Sequence, residues 1–324
     1  MDSAPAADHP NSKNAWVVLL MMGDAYAPGA LVVAQSLRDT KTKHDIVCMV
    51  THDVSLETRA QLRGTPQNPI YDDVIEVPYI VHPTRPLKSK KQVELYGGWI
   101  DRSFTKWSCL KFTWYHRVIF VDADMVVVAN CDDLFELRPP AACYSNPWAY
   151  PWADRGGITN PYLTNEKGRS RPPAHGACVP AAQIEKALHS GSFVGWGAMV
   201  LLEPNAAKFE DLLAMIHKNP VFGEEFNVVS GSDEVSIAAL YAQAGWTHIH
   251  QRYLAIPWKP RWVPPHDVCA YHFHGRKPWE MAISEWPDLA IWWQVVGRLI
   301  ARCPKARQMF YPKAVAGLDD TRIG

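Results

Sequence analysis

The chain has 324 residues with 33 basic and 33 acidic side chains, so its formal net charge is zero, and with no long basic run a nucleic-acid partner or an anionic membrane surface has no electrostatic support. A chain this long buries a substantial core, as one large domain or as one domain with an appendage. Seven cysteines without a Cys-x-x-Cys pair argue for reduced thiols in a cytosolic compartment, against a disulfide framework and against a zinc site.

Residues 1–13 show no periodicity and read as a disordered leader. The apolar run Ala15–Met22 is too short to span a bilayer and lacks a basic flank and a small-residue cleavage site, so it reads as the first strand. An amphipathic helix over Ala30–Leu37, started by Pro28 and Gly29, and a strand over Asp45–Val50 complete a βαβ unit. A helix from Ser55 to Leu62 with Gly64 at its end, then a strand at Val74–Val77, extend the alternation and favour a mostly parallel sheet. Thr105–Tyr115 is predicted as a helix that delivers the chain into Val118–Asp124.

Past Phe135, residues 139–191 are rich in Pro, Gly, Asn and Trp, with a helical pattern only near Gln183–Leu188. This insertion emerges directly after the acidic strand and its turn and reads as the element that selects a substrate, with a disordered stretch or a surface excursion that merely covers the sheet as the open alternatives. A strand at Ala198–Leu202 and a helix from Asn205 to His217 follow. Ser232 is the expected N-cap of a helix that carries Asp233 and Glu234 in its first turn, runs to Ala244 and stops at Gly245. Thr247–His250 reads as one more strand, and residues 286–324 as a helical extension with its helix near Ala290–Ala301. No internal repeat is present. Several tryptophans adjoin prolines, among them Trp148, Trp152, Trp258, Trp262 and Trp279; such residues fill a core or line a cleft where an indole stacks on a sugar ring.

The run Val118-Ile119-Phe120-Val121-Asp122-Ala123-Asp124 ends a buried strand in two carboxylates, at the end where open α/β sheets place their ligand crevice. Hard oxygen ligands there suit a divalent cation that holds phosphate, and a solvated acidic turn is the open alternative. A second cluster is His272-Phe273-His274-Gly275-Arg276-Lys277-Pro278-Trp279, a compact anion-handling loop. If His272 reaches the same cation as Asp122 and Asp124, the mixed donor set suits Mn²⁺ better than Ca²⁺, with Mg²⁺ as the alternative. A diphosphate would fill the remaining positions, and Lys277 with Arg276 would neutralise charge on a departing phosphate.

Three blocks in the same order give the chain a resemblance to the retaining nucleotide-sugar glycosyltransferases of family 8, which include the glycogenins and galactinol synthases. Met22 to Ala30 looks like the family's first strand-to-helix turn, which holds base and ribose. Phe120 to Asp124, followed by Ala129 to Phe135, is similar to its metal strand, and His272 to Trp279 to its closing phosphate loop. The resemblance implies an α/β fold: one GT-A-type, Rossmann-like domain over residues 14–285, with a mixed, mostly parallel central sheet flanked by helices. It also implies that Asp122, Asp124 and His272 bind the metal, and that Gly275 and Lys277 contact the diphosphate. Met22, Gly23, Tyr26, Ala123 and Asp124 would lie along the nucleotide, although Tyr26 in simple helix packing is an equal reading. Lys106 would orient the donor sugar. Asp233 would stand beside the reacting sugar carbon, with a first-turn helix carboxylate as its bland alternative.

Departures from the family pattern are specific. The closing loop is one residue shorter between Gly275 and Lys277, so Arg276 shares the task of Lys277. Gly195-Trp196-Gly197 replaces an Asn-Ser-Gly turn, and Ser230 to Glu234 keeps only the second of two aspartates. Tyr253 lies in the stretch of the tyrosine that glycogenin glucosylates on itself, but its surroundings do not match and self-glucosylation is not expected. The implied activity is transfer of glucose or galactose from a UDP-sugar to a carbohydrate, polyol or protein hydroxyl, with retention of configuration. A cytoplasmic protein without a membrane span or nucleic-acid partner is expected, and a homodimer is an open arrangement. Two competing readings are a non-catalytic UDP-sugar or glycan-binding module and a haloacid-dehalogenase-like phosphatase. In the second, Asp122 would attack phosphate and His272 would have no role.

Overall fold

Alternation along one buried strand decides the architecture. In β1 (Asn14–Leu20), Trp16, Val18 and Leu20 enter one apolar cluster while Ala15, Val17 and Leu19 enter another, so the sheet is covered on both faces. These observations come from a computed structural model that describes residues 13–87, 89–144, 173–190, 194–227, 231–257 and 263–310. The leader over residues 1–12, most of the 139–191 insertion, and Trp148, Trp152, Trp258 and Trp262 lie outside the described residues.

After β1 come α1 (Ala27–Asp39), β2 (Asp45–Val50), α2 (Leu56–Arg63), a small hairpin of β3 (Gly64–Thr65) and β4 (Asn68–Pro69), and β5 (Asp73–Glu76). Next are α3 (Lys90–Tyr96), a 3-10 segment at Ile100–Lys111, β6 (Arg117–Val121), β7 (Met125–Val127), β8 (Ala141–Ala142), β9 (Cys178–Val179) and α4 (Ala181–Ser190). The last part holds β10 (Met199–Leu202), α5 (Ala206–Ile216), α6 (Ser232–Leu240), β11 (Trp246–His248), β12 (Ala270–His272), α7 (Leu289–Arg302) and α8 (Arg307–Phe310). The eight-stranded sheet has the order β5-β2-β1-β6-β10-β8-β11-β9. Neighbours from β5 to β6 run parallel, β10 is antiparallel to β6 and β8, and β11 is parallel to β8 but antiparallel to β9. The sheet is therefore mixed, with its parallel order concentrated in the N-terminal half.

Local chemistry explains the boundaries. Ser55 caps α2 by accepting the Thr58 N–H, and Gly64 ends it at φ 70°. α1 is buried along Ala27–Leu37 because the sheet covers one side and α7 another. Arg298 of α7 donates to Asp39 at 2.6 Å, and Arg302 donates to the Pro69 carbonyl at 2.8 Å.

Three expectations need correction. The helix expected at Thr105–Tyr115 is a 3-10 segment over Ile100–Lys111, in which the fully buried Phe104, Trp107 and Leu110 recur every third residue, the repeat of that tighter helix. Ser232 is the first residue of α6 and Gly231 is its N-cap, because the Glu234 carboxylate reaches back to accept the Gly231 N–H. α6 also ends at Leu240, and a 3-10 turn at Ala242–Ala244 carries the chain to Gly245 at φ 66°. α3 and the short strands β7 and β12 were not expected from periodicity.

Candidate active site

The end of β6 is where the sheet changes direction and where the acidic residues lie. The Asp122 N–H continues the β6–β10 ladder by donating to the Ala198 carbonyl at 2.9 Å, and a turn closed by Met125 N–H to Asp122 carbonyl follows. β7 then leaves the main sheet to pair antiparallel with β12, in a register that puts His272 opposite Met125. Phe273 N–H donates to the Asp124 carbonyl at 2.9 Å. This small ladder brings together residues far apart in the chain: ligand atoms of Asp122, Asp124 and His272 all lie within 4.8 Å of one another.

Two lysines flank the triad. Lys277 Nζ is 2.6 Å from Asp124 Oδ2, while Lys106 Nζ is 2.8 Å from Asp122 Oδ1 and 2.7 Å from Asp233 Oδ2. His272 Nε2 lies 3.3 Å from Asp124 Oδ1. Burial works against charge on Asp124, but Lys277 and His272 outweigh it and hold its carboxyl well below the usual range. Burial raises Asp122, which the Lys106 ammonium only partly offsets. Both lysines would be lowered by burial, yet their acidic partners keep them above the ordinary ammonium value.

Above these groups is a cleft of about 630 Å³. Tyr26, Lys106, Asp122, Asp124, Asp233, His272, Gly275, Arg276 and Lys277 all face it. Arg276 pairs with Glu285 at 2.7 Å, so of the two neighbouring cations Lys277 is the one directed at the carboxylates. Tyr26 both lines the cleft and packs, its ring edge-on to Trp279 at 5.3 Å with Lys277 Nζ 5.5 Å above it. Trp279 in turn contacts Trp292 and the start of α1, as core filling requires. Met22 and Gly23, at φ 64° and 76°, sit in the turn before Tyr26 rather than in the cleft wall. The Met22 N–H is held there by the Tyr79 hydroxyl at 2.8 Å. Ala123 is buried, with its carbonyl against Gly29 so closely that a Cβ at residue 29 would lie 2.2 Å away.

Several cleft residues had no individual role in the sequence reading. Glu234 accepts N–H groups from Gly197 at 3.0 Å and Gly231 at 3.1 Å, and burial together with Asp233 pushes its carboxyl up to about 8. Trp196, in the Gly195-Trp196-Gly197 departure, stands edge-on to His272 and His274 at 5.9 and 6.0 Å. Tyr96 and Trp99 come from the stretch around α3. The buried pairing of an acid with two glycines was legible only as Gly-x-x-Glu before a helix, a weak signal. Tyr253 is buried away from the cleft wall, its hydroxyl donating to Asp133.

No protein-family model matches the chain. Uncharacterized protein R707 of Acanthamoeba polyphaga mimivirus is 30% identical over 216 residues, 66% of this chain and 63% of that protein. Glycogenin-1 of Homo sapiens is 34% identical over 131 residues, 40% of this chain, and the match spans 35% of its own length. UDP-glucuronate:xylan alpha-glucuronosyltransferase 2 of Arabidopsis thaliana is 28% identical over 138 residues, 43% of this chain and 21% of that protein. The chain therefore spans less than two thirds of each of these relatives. Among solved structures, the galactosyltransferase LgtC, in complex with donor and acceptor sugar analogues, superposes with a TM-score of 0.53 at 14% identity. That superposition covers 87% of this chain and 95% of LgtC, a likeness of fold. In fold the chain is a GT-A-type α/β domain, and over 131 residues it is similar in sequence to the glycogenins.

Proposed function

We propose that the chain is a retaining glycosyltransferase that moves a hexose, glucose or galactose, from a UDP-sugar to an acceptor hydroxyl, with Mn²⁺ as its cation and Mg²⁺ as the alternative. The observation that carries this reading is the convergence of Asp122, Asp124 and His272 within 4.8 Å. These residues fit a metal: among the described residues the buried Asp124 Oδ1 makes no hydrogen bond of good geometry, only the 3.3 Å approach of His272 Nε2, and two carboxylates with one imidazole form a mixed oxygen and nitrogen donor set. When bound, such a cation neutralises diphosphate charge.

The side chains divide the remaining work. Lys277, beside Asp124, takes up charge on the departing phosphate, and Tyr26 borders the nucleoside. Lys106 ties Asp233 to Asp122 and so fixes Asp233 beside the sugar carbon, where its carboxylate meets positive charge in an oxocarbenium-like transition state. For retention, the acceptor hydroxyl approaches on the face that UDP leaves and gives its proton to the departing phosphate oxygen, a route that needs positioning more than a strong base.

Incubation with UDP-glucose or UDP-galactose and Mn²⁺ tests this directly, with UDP release followed by coupled assay and product configuration by proton NMR. Tight UDP binding without release or transfer would favour a binding module. Hydrolysis of aryl phosphates without UDP binding would favour the phosphatase scheme. A protein that binds neither Mn²⁺ nor UDP ends the proposal.

A further inference from the structure

The transferase reading uses two walls of the cleft and leaves a third without a role. Diphosphate and nucleoside belong at Asp124, Lys277 and Tyr26, and the transferred sugar at Lys106 and Asp233. The remaining wall is formed by Gln92, Glu94 and Tyr96 of α3 with Trp99 and Ile100 after it. Ser89 and Gln92 start α3 with a capping box, so this seven-residue helix has a defined first turn. Tyr96 and Trp99 meet edge to face, 5.6 Å between centroids at 87°, and Trp99 Nε1 donates to the Leu95 carbonyl at 3.0 Å. The Tyr96 hydroxyl lies 3.2 Å from His274 Nε2, which ties the wall to the loop that carries Lys277.

Fixed aromatic faces beside an amide and a carboxylate are the chemistry that receives a sugar ring. The C–H-rich face of a pyranose packs on the aromatic surface while its hydroxyls reach the polar groups. We propose that this wall is the acceptor subsite and that it takes a neutral pyranoside, with Trp99 as the stacking platform. The assignment rests on the transferase reading and adds the class of acceptor. The cleft of about 630 Å³ has to hold donor and acceptor together, which favours a compact acceptor over an extended peptide. Glu94 and Asp233 around it oppose an anionic acceptor. The insertion expected to select the acceptor lies mostly outside the described residues, whereas this wall is built from described ones.

The test uses the full chain loaded with Mg²⁺ and UDP, and saturation-transfer NMR with methyl glucopyranoside, methyl galactopyranoside, myo-inositol and a tyrosine-containing peptide. Saturation of pyranoside ring protons, with little for inositol or peptide, is the expected result. Trp99→Ala should weaken pyranoside binding by about tenfold, Trp99→Phe should restore most of it, and both should keep the Kd for UDP. Retained UDP binding also reports that each variant is folded. No saturation of any pyranoside in UDP-loaded protein, or equal pyranoside affinity in Trp99→Ala, overturns the subsite and leaves the transferase reading intact. Failure to bind UDP at all overturns both.

Discussion

The two halves of the central sheet are held together differently. β5, β2, β1 and β6 are parallel neighbours linked by helices, and apart from the peripheral β5 they are buried on both faces. Beyond β10 the strands β8, β9 and β11 have only two or three residues, and side chains complete what the ladders do not. His248 Nδ1 accepts the Tyr144 N–H at 3.1 Å, and Glu234 bridges Gly197 and Gly231. The candidate site lies on the seam, where β6 is parallel to β1 on one side and antiparallel to β10 on the other. The regular half therefore fixes where the carboxylates of β6 end. The irregular half supplies Asp233, Glu234 and Trp196, whose positions depend on a few polar contacts, and Lys106 joins the two sides.

The largest expected effect comes from cutting that join. Lys106→Met leaves the Asp122 and Asp233 carboxylates facing one another without their cation, which should cost about 3–5 kcal/mol of stability. Chemical denaturation measures this, and adding Asp233→Asn should recover part of the loss, since one unpaired charge is then removed. Equal stability of Lys106→Met and wild type would mean that the two halves are not coupled here. Next in size is Asp124→Asn, on the regular side. It removes a proposed ligand and should lower Mn²⁺ affinity by at least about a hundredfold, because outer-shell substitutions alone cost about 10–100-fold. Titration calorimetry with Mn²⁺ decides it, and unchanged affinity would remove Asp124 from the ligand set.

Legibility in the sequence followed the same division. The βαβ order was readable because β1, β2 and β6 are continuous apolar runs and α2 has both Ser55 and Gly64 as punctuation. The acidic pair and the His272 loop were readable as chemistry, and their joining was readable only through the family resemblance, because β7 and β12 have three residues each and no periodicity to detect. α3 escaped notice because it has only seven residues and its apolar Val93 and Leu95 are exposed, so no buried stripe marks it. Glu234 was visible as a first-turn acid; its bridge between two glycine N–H groups is a tertiary contact with Gly197 that no local pattern encodes.

A smaller effect is expected where α1 meets the acidic turn. A Cβ on Gly29 would lie 2.2 Å from the Ala123 carbonyl oxygen and 2.7 Å from the Trp279 ring, so Gly29→Ala must push α1 away from the residue between the two aspartates. Overpacking of this kind costs about 1–3 kcal/mol, only partly offset by the better helix propensity of alanine, about 1 kcal/mol. A lowered Tm together with weaker Mn²⁺ binding is the expected pair of results. A lowered Tm with normal binding would show that the turn tolerates the shift.

The subtlest contrast is in pH. Asp124, on the regular side, has a folded pKa held below its ordinary value by Lys277 and His272 against the effect of burial, so its contribution to stability is present above about pH 4 and fades only in stronger acid. Glu234, on the irregular side, is pushed up to about 8 by burial and by Asp233. Its folded form keeps a proton that the unfolded chain releases near pH 4.5, so the stability it contributes is lost as pH rises from there to about 8 and changes little above. Glu234→Gln cannot titrate, and its Tm relative to wild type should therefore climb between pH 5 and pH 8, whatever constant offset the amide introduces. A difference that stays flat across that range would mean that the two backbone N–H groups keep Glu234 ionised, and the two sides of the seam would then respond to acid alike.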